Sequence, residues 1–257
     1  MKHIQAFIFF TSAFVTLLAC ATHKGNKATA IAASTNVYPV SDSMNAGKWV
    51  LNTAVSDEFN NLNLDTTKWF VQGTNSVYRS NFKGHAPAHF STHNVRLENG
   101  MLKLQTRWEP DFNFSKQVDP KGAKYENITT AAIISKKPFL HGYMEIKCKG
   151  ADASITSSFW ATGSKTELDI FESLGKPTLP NKKHLETEFW SSVHDWSKND
   201  GPSVWTNRHQ LPFRMAEGFH VYGCEWDKDY LNFYADGKLI KSVTRIEMGA
   251  GWVITNP

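Results

Sequence analysis

The chain has 257 residues, 41% of them hydrophobic and 13% aromatic, with nine Trp and 17 Phe; that is enough for one sizeable core in one large all-β domain. Its formal net charge is only +4, and the basic residues are scattered, so the sequence offers no stripe for nucleic acid. With no C-x-x-C pair and no histidines at ligand spacing, a catalytic metal or other cofactor is not expected.

Lys2 and His3 precede an apolar run from Ile4 to Leu18, which ends in Leu17-Leu18-Ala19-Cys20. This reads as a signal peptide over residues 1–19. The last four residues resemble a bacterial lipobox, which makes Cys20 the lipidation site of an exported protein anchored at the cell envelope. No second apolar run reaches the roughly 20 residues that span a bilayer, so the expected membrane contact is that lipid alone. Residues 20–45 are rich in Ala, Thr, Asn, Ser and Lys without periodicity, as in a flexible tether. A single domain is expected over residues 46–257, opening near Gly47-Lys48-Trp49.

Within that domain, Asn94–Glu98 and Met101–Trp108 flank Asn99-Gly100, a strong hairpin signal. Residues 109–127, with Pro110 and Pro120, read as a loop. Two glycosylation sequons, at Asn113 and Asn127, are silent in a bacterial host. Strands are then predicted over Thr129–Ser135, Gly142–Lys149, Ile155–Ala161 and Thr166–Ser173, followed by Leu185–His194, Gly218–Trp226, Tyr230–Ala235 and Lys238–Val243. Asp236-Gly237 turns the last hairpin, and Arg214–Glu217 is one short turn. No long helix is predicted. Many short strands at this pitch imply an antiparallel sandwich. Cys148 and Cys224 can form one disulfide or remain two buried thiols.

The stretch Thr166-Glu167-Leu168-Asp169-Ile170-Phe171-Glu172-Ser173 carries the chemistry. On a strand, Glu167 and Asp169 share a face, while strict alternation sends Glu172 to the other. One extra residue near Ile170-Phe171, a β-bulge, brings it back. Three carboxylates crowded on one face repel, so they do not stabilise the sheet. Retaining glycoside hydrolysis does need two carboxyl groups roughly 5–5.5 Å apart, one ionised and one protonated, and a third acid helps push their proton affinities apart. A solvated polar face and a calcium site are the alternatives for such a strand.

Further stretches carry a resemblance to a known family. Ser56-Asp57-Glu58-Phe59 with Lys68-Trp69 looks like its opening strand. Phe139–Lys147 contains its Gly-Tyr-Met-Glu strand, and Ser158-Phe159-Trp160 stands before the acidic motif. Phe219–Trp226 and Phe233–Gly237 complete the order. Together they resemble glycoside hydrolase family 16, and within it the β-agarase and β-porphyranase branch with the bulged E-x-D-x-x-E motif. The resemblance implies an all-β, antiparallel β-jelly-roll sandwich with an open concave cleft. It implies Glu167 as nucleophile, Asp169 as its helper and Glu172 as acid/base. Phe82–Phe90 resembles the branch's W-x-G-R-P-P-A-Q-F loop at Gly84, Pro87, Ala88 and Phe90, which points to a red-algal galactan of agarose or porphyran type, sulfated or neutral.

The substrate-binding candidates are Trp160 for stacking on a pyranose, His194 and Trp190 in the cleft, Arg79 and Asn81 toward hydroxyl or sulfate groups, and His89 in the Gly84 loop. The family's structural calcium draws on a C-terminal stretch that would follow Pro257, so no ligands are assigned to it. By that measure the chain reads as truncated. A monomer is expected. The rival functions are a family-16 enzyme on carrageenan, furcellaran or β-1,3-glucan, a non-catalytic surface glycan-binding lipoprotein, and a calcium-binding adhesin.

Overall fold

The computed structural model describes residues 37–73, 82–198 and 200–256. In chain order the strands are β1 (Trp69–Val71), β2 (Ala88–Phe90), β3 (Val95–Glu98), β4 (Met101–Leu104), β5 (Arg107–Trp108), β6 (Ile128–Thr130), β7 (Ile133–Ser135), β8 (Gly142–Cys148), β9 (Thr156–Thr162), β10 (Thr166–Leu174), β11 (Glu188–Asp195), β12 (Ser203–Gln210), β13 (His220–Trp226), β14 (Tyr230–Ala235) and β15 (Lys238–Thr244). The single α-helical turn among the described residues, Arg245–Met248, is closed by a capping box between Thr244 and Glu247.

Two four-stranded antiparallel sheets face each other, one ordered β12-β11-β10-β9 and the other β15-β14-β13-β8. Alternation explains why they stack. On β14, Leu231, Phe233 and Ala235 are buried while their neighbours are less so, and such strands bury one face only. Aromatic rings bridge the sheets: Phe171 lies 4.9 Å from Tyr222, and its sheet neighbour Phe189, 5.9 Å away, lies 6.5 Å from Phe233. Both expected hairpin turns form. Asn99 and Gly100 have φ of 54° and 69°, and Asp236 and Gly237 have φ of 47° and 74°; two consecutive positive φ values give the turn whose twist matches a two-residue hairpin.

Several expectations need correcting. Thr129–Ser135 is two strands, because the chain leaves β6 in one sheet and enters β7 in another. The β2–β6 pair is parallel within an otherwise antiparallel fold. Ser56–Phe59 is no strand: Phe59 has φ of 55° and its N–H donates to Asp57 Oδ1, while Asp57 Oδ2 accepts from Trp69 Nε1, so a local turn replaces the ladder. The C-terminal Trp252–Thr255 is likewise irregular, with Val253 and Thr255 N–H groups bonding carbonyls two residues back. Even so, Trp252 and Ile254 are buried in the core. Strand β12 had no clean apolar alternation to reveal it.

The two thiols are unbridged. Cys148 sits opposite His220 and Cys224 opposite Met144, four residues apart along β13 and therefore about 13 Å, beyond the span of a disulfide. Contacts with the sandwich begin ahead of residue 46: the Val40 N–H donates to Glu145 and the Ser41 hydroxyl to Tyr143.

Candidate active site

The acidic strand lies inside its sheet, between β9 and β11. Against β11, Asp169 pairs with Ser192 and Glu172 with Trp190, so three steps on one strand match two on the other. Against β9, Asp169 pairs with Trp160 and Phe171 with Phe159. The extra residue is Ile170. Leu168, Ile170 and Phe171 are all buried in the core, so two consecutive side chains point inward at the bulge. Glu167, Asp169 and Glu172 therefore emerge together on the concave face. Trp160 of β9 and Glu188, Trp190, Ser192 and His194 of β11 share that face by register.

The acids are held differently. Asp169 is buried; the Ser192 hydroxyl donates to its Oδ2 at 2.5 Å, and His194 Nε2 lies 3.3 Å from the same oxygen. His194 Nδ1 is 2.8 Å from the Gly201 carbonyl, which can only accept, so Nδ1 carries a proton. With an acid on its other nitrogen, the ring is pushed up to about 9, chiefly by the Asp169 hydrogen bond against the opposing effect of burial. Glu167 accepts from Trp196 Nε1 at 3.1 Å, and Trp196 stacks on His194 at 6.1 Å. Glu172 is raised above the ordinary carboxyl range, first by burial and second by the negative charge of Asp169, with His194 pulling the other way.

Glu167, Asp169 and His194 each offer a ligand atom within 4.8 Å of the others. Within the trio, His194 and Asp169 already contact each other, Nε2 to Oδ2 at 3.3 Å.

The expected binding residues separate. Trp160, Trp190 and His194 join the acids. Arg208 lies over the Trp190 ring, 4.1 Å from its centroid, and pairs with Glu188 at 2.7 Å. His89 belongs to the β2-β6-β5 sheet, its ring packed among Phe112, Phe114 and Tyr125 and its Nδ1 2.8 Å from the Phe90 carbonyl. Arg79, Asn81 and Cys20 lie outside the described residues. Sequence reasoning missed Ser192, Trp196 and Arg208. Strand parity with His194 could have found Ser192; the turn that folds Trp196 back onto Glu167 left no local signal.

Residues 49–252 match the family description "Beta-porphyranase A-D, GH16 domain". The chain belongs to glycoside hydrolase family 16. Among characterised members, this family-16 domain is 28% identical over 268 residues to β-porphyranase B of Phocaeicola plebeius, covering 92% of this chain and 80% of that one. The crystal structure of porphyranase B from Zobellia galactanivorans superposes with a TM-score of 0.63 at 28% identity, over 76% of this chain and 75% of that one. The fold is also shared with β-agarase A in complex with oligoagarose, at a TM-score of 0.63 and 23% identity over 81% and 76% of the two chains. The jelly-roll sandwich expected from the sequence is thus the fold the chain adopts.

Proposed function

We propose that the chain is a retaining endo-glycoside hydrolase that cleaves β-linkages in a red-algal galactan of porphyran or agarose type. The observation that carries this is the bulge at Ile170, which puts Glu167, Asp169 and Glu172 on one face of a cleft in a porphyranase-type domain. Glu167, oriented by Trp196, attacks the anomeric carbon, and the bond to the leaving oxygen breaks as Glu172 gives that oxygen its proton. Water then loses a proton to Glu172 and its oxygen displaces Glu167, restoring both groups with the anomeric configuration retained. Burial suits Glu172 to this work because it raises the proton affinity of the carboxyl. Asp169, held by Ser192 and His194, is placed beside the pair as an orienting group. Trp160, Trp190 and His194 are proposed to contact sugar, and Arg79, Asn81 and His89 are kept as further candidates for substrate binding. The chain is proposed to be exported and lipid-anchored at Cys20. No helix among the described residues is long and apolar enough to cross a membrane.

The test is a reducing-end assay on agarose, porphyran, furcellaran, κ-carrageenan and laminarin. Porphyran or agarose should respond, and NMR of the first product should show the β-anomer. Release from laminarin alone would overturn the galactan assignment.

Asp169→Asn gives a pH test with a definite sign. Removing the negative neighbour lowers the proton affinity of Glu172. Glu172 then loses its proton at lower pH, so the basic limb of kcat/KM moves to the acid side. His194→Gln removes the opposing positive charge and moves that limb to the alkaline side. Unmoved limbs in both variants would show that Glu172 is not the titrating group.

A further inference from the structure

The turn between β11 and β12 holds two side chains of the candidate site at once. His194 reaches it through Nδ1, 2.8 Å from the Gly201 carbonyl. Trp196 is pinned at both ends: its backbone N–H donates to the Lys165 carbonyl at 2.8 Å, and its Nε1 donates to Glu167 Oε2 at 3.1 Å. Its ring also lies nearly parallel to that of His194, 19° between the planes.

Gly201 packs against the indole. It is buried, and a methyl group on its Cα would overlap Trp196 Cδ2, Cε3 and Cζ3. The indole is rigid and tied at two points, so it cannot make room for a new atom without giving up one of its hydrogen bonds. Backbone conformation alone does not call for glycine here. Gly201 has φ of 52°, but its neighbour Asp200 carries a side chain at φ of 65°, so the turn admits a left-handed residue other than glycine. What a side chain at 201 lacks is space, and a close approach is the other use of glycine.

We propose that Gly201 is a positioning residue for the nucleophile: its bare Cα leaves the room in which Trp196 lies while donating to Glu167. A larger residue displaces the indole, and Glu167 loses a donor that favours its ionised form. This rests on the hydrolase reading above and adds to it a residue that acts only through Trp196.

The test compares the full chain with Gly201→Ala, Trp196→Phe and the double variant on the galactan that responds. Phe keeps an aromatic ring and lacks the N–H. Each single variant should lose roughly tenfold in kcat/KM, the kinetic worth of one hydrogen bond to a charged group. The acid limb of kcat/KM should move to higher pH in both, because Glu167 ionises without that donor. The double variant should stay within about twofold of Trp196→Phe. NMR of the indole N–H groups reads the contact without catalysis. The Trp196 signal, assigned by its loss in Trp196→Phe, should shift when Glu167→Gln is added to the parent and should ignore Glu167→Gln in Gly201→Ala. Stability keeps the test open if Gly201→Ala folds poorly: the alanine should lower Tm by less in a Trp196→Leu background than in the parent. Equal falls in Tm, unmoved acid limbs, losses that multiply in the double variant, or a Trp196 signal that still follows Glu167 in Gly201→Ala overturn the assignment. If the signals behave as expected and no polysaccharide is cut, Gly201 still seats Trp196 on Glu167 and the hydrolase reading falls. A parent that cuts while its Trp196 signal ignores Glu167→Gln keeps the hydrolase and removes the role of Gly201.

Discussion

Glu167→Ala is expected to lower kcat/KM on the responding galactan by on the order of 10⁴-fold or more, because the proposed mechanism loses its nucleophile. Glu172→Gln should cost roughly 10²–10⁴-fold, the usual worth of a positioned general acid. Azide separates the roles. In Glu167→Ala it enters the space left by the carboxylate and attacks once, giving a glycosyl azide of inverted configuration. In a Glu172 variant it instead attacks the glycosyl-enzyme, giving a retained one. Inverted azide from the Glu172 variant would mean that the two assignments are exchanged, and full activity in either variant would place the chemistry elsewhere. The neighbourhood supports the assignments made. Trp196 donates a hydrogen bond to Glu167, as suits a group that must stay ionised, while Glu172 is half-buried and its proton affinity is raised by burial and by Asp169.

Phe171→Ala should carry the largest stability cost among the variants considered, about 3–5 kcal/mol. Phe171 is 2% exposed and packs on Tyr222 at 4.9 Å, Phe189 at 5.9 Å and Phe159 at 6.4 Å. It thus touches both sheets, and these neighbours cannot all collapse into the space it leaves. A domain of this size should show a fall in Tm on the order of 10 °C. Thermal unfolding followed by near-UV circular dichroism measures this, since the aromatic cluster supplies the signal. A loss under about 1 kcal/mol would mean that the sheets are held together elsewhere.

Much of this was legible in the chain because the informative residues are local. The parity of Glu167, Asp169 and Glu172 required a bulge near Ile170-Phe171, and one is there. Asn99-Gly100 and Asp236-Gly237 named their turns through backbone freedom alone. What escaped was set by distant partners. β12 buries Trp205 against Phe233 but carries Asn207 and His209 at neighbouring inward positions, so its alternation is blurred. Ser56–Phe59 has the composition of a strand, but Asp57 accepts hydrogen bonds from the Phe59 backbone N–H and from Trp69 Nε1 and forms a turn instead. The Trp196 bond to Glu167 joins residues 29 apart, and no window of sequence contains that contact.

The bulge also means that the geometry of the acids is set from the oily side of the sheet. Ile170 and Phe171 occupy successive inward sites, with 0% and 2% of their surface exposed, and their bulk determines how far the strand bends between Asp169 and Glu172. The gap between the reacting oxygens is therefore a ruler graduated in aliphatic and aromatic volume. Such a site can be retuned for a longer or shorter reach by exchanging methyl groups beneath it, with every polar atom of the cleft left unchanged.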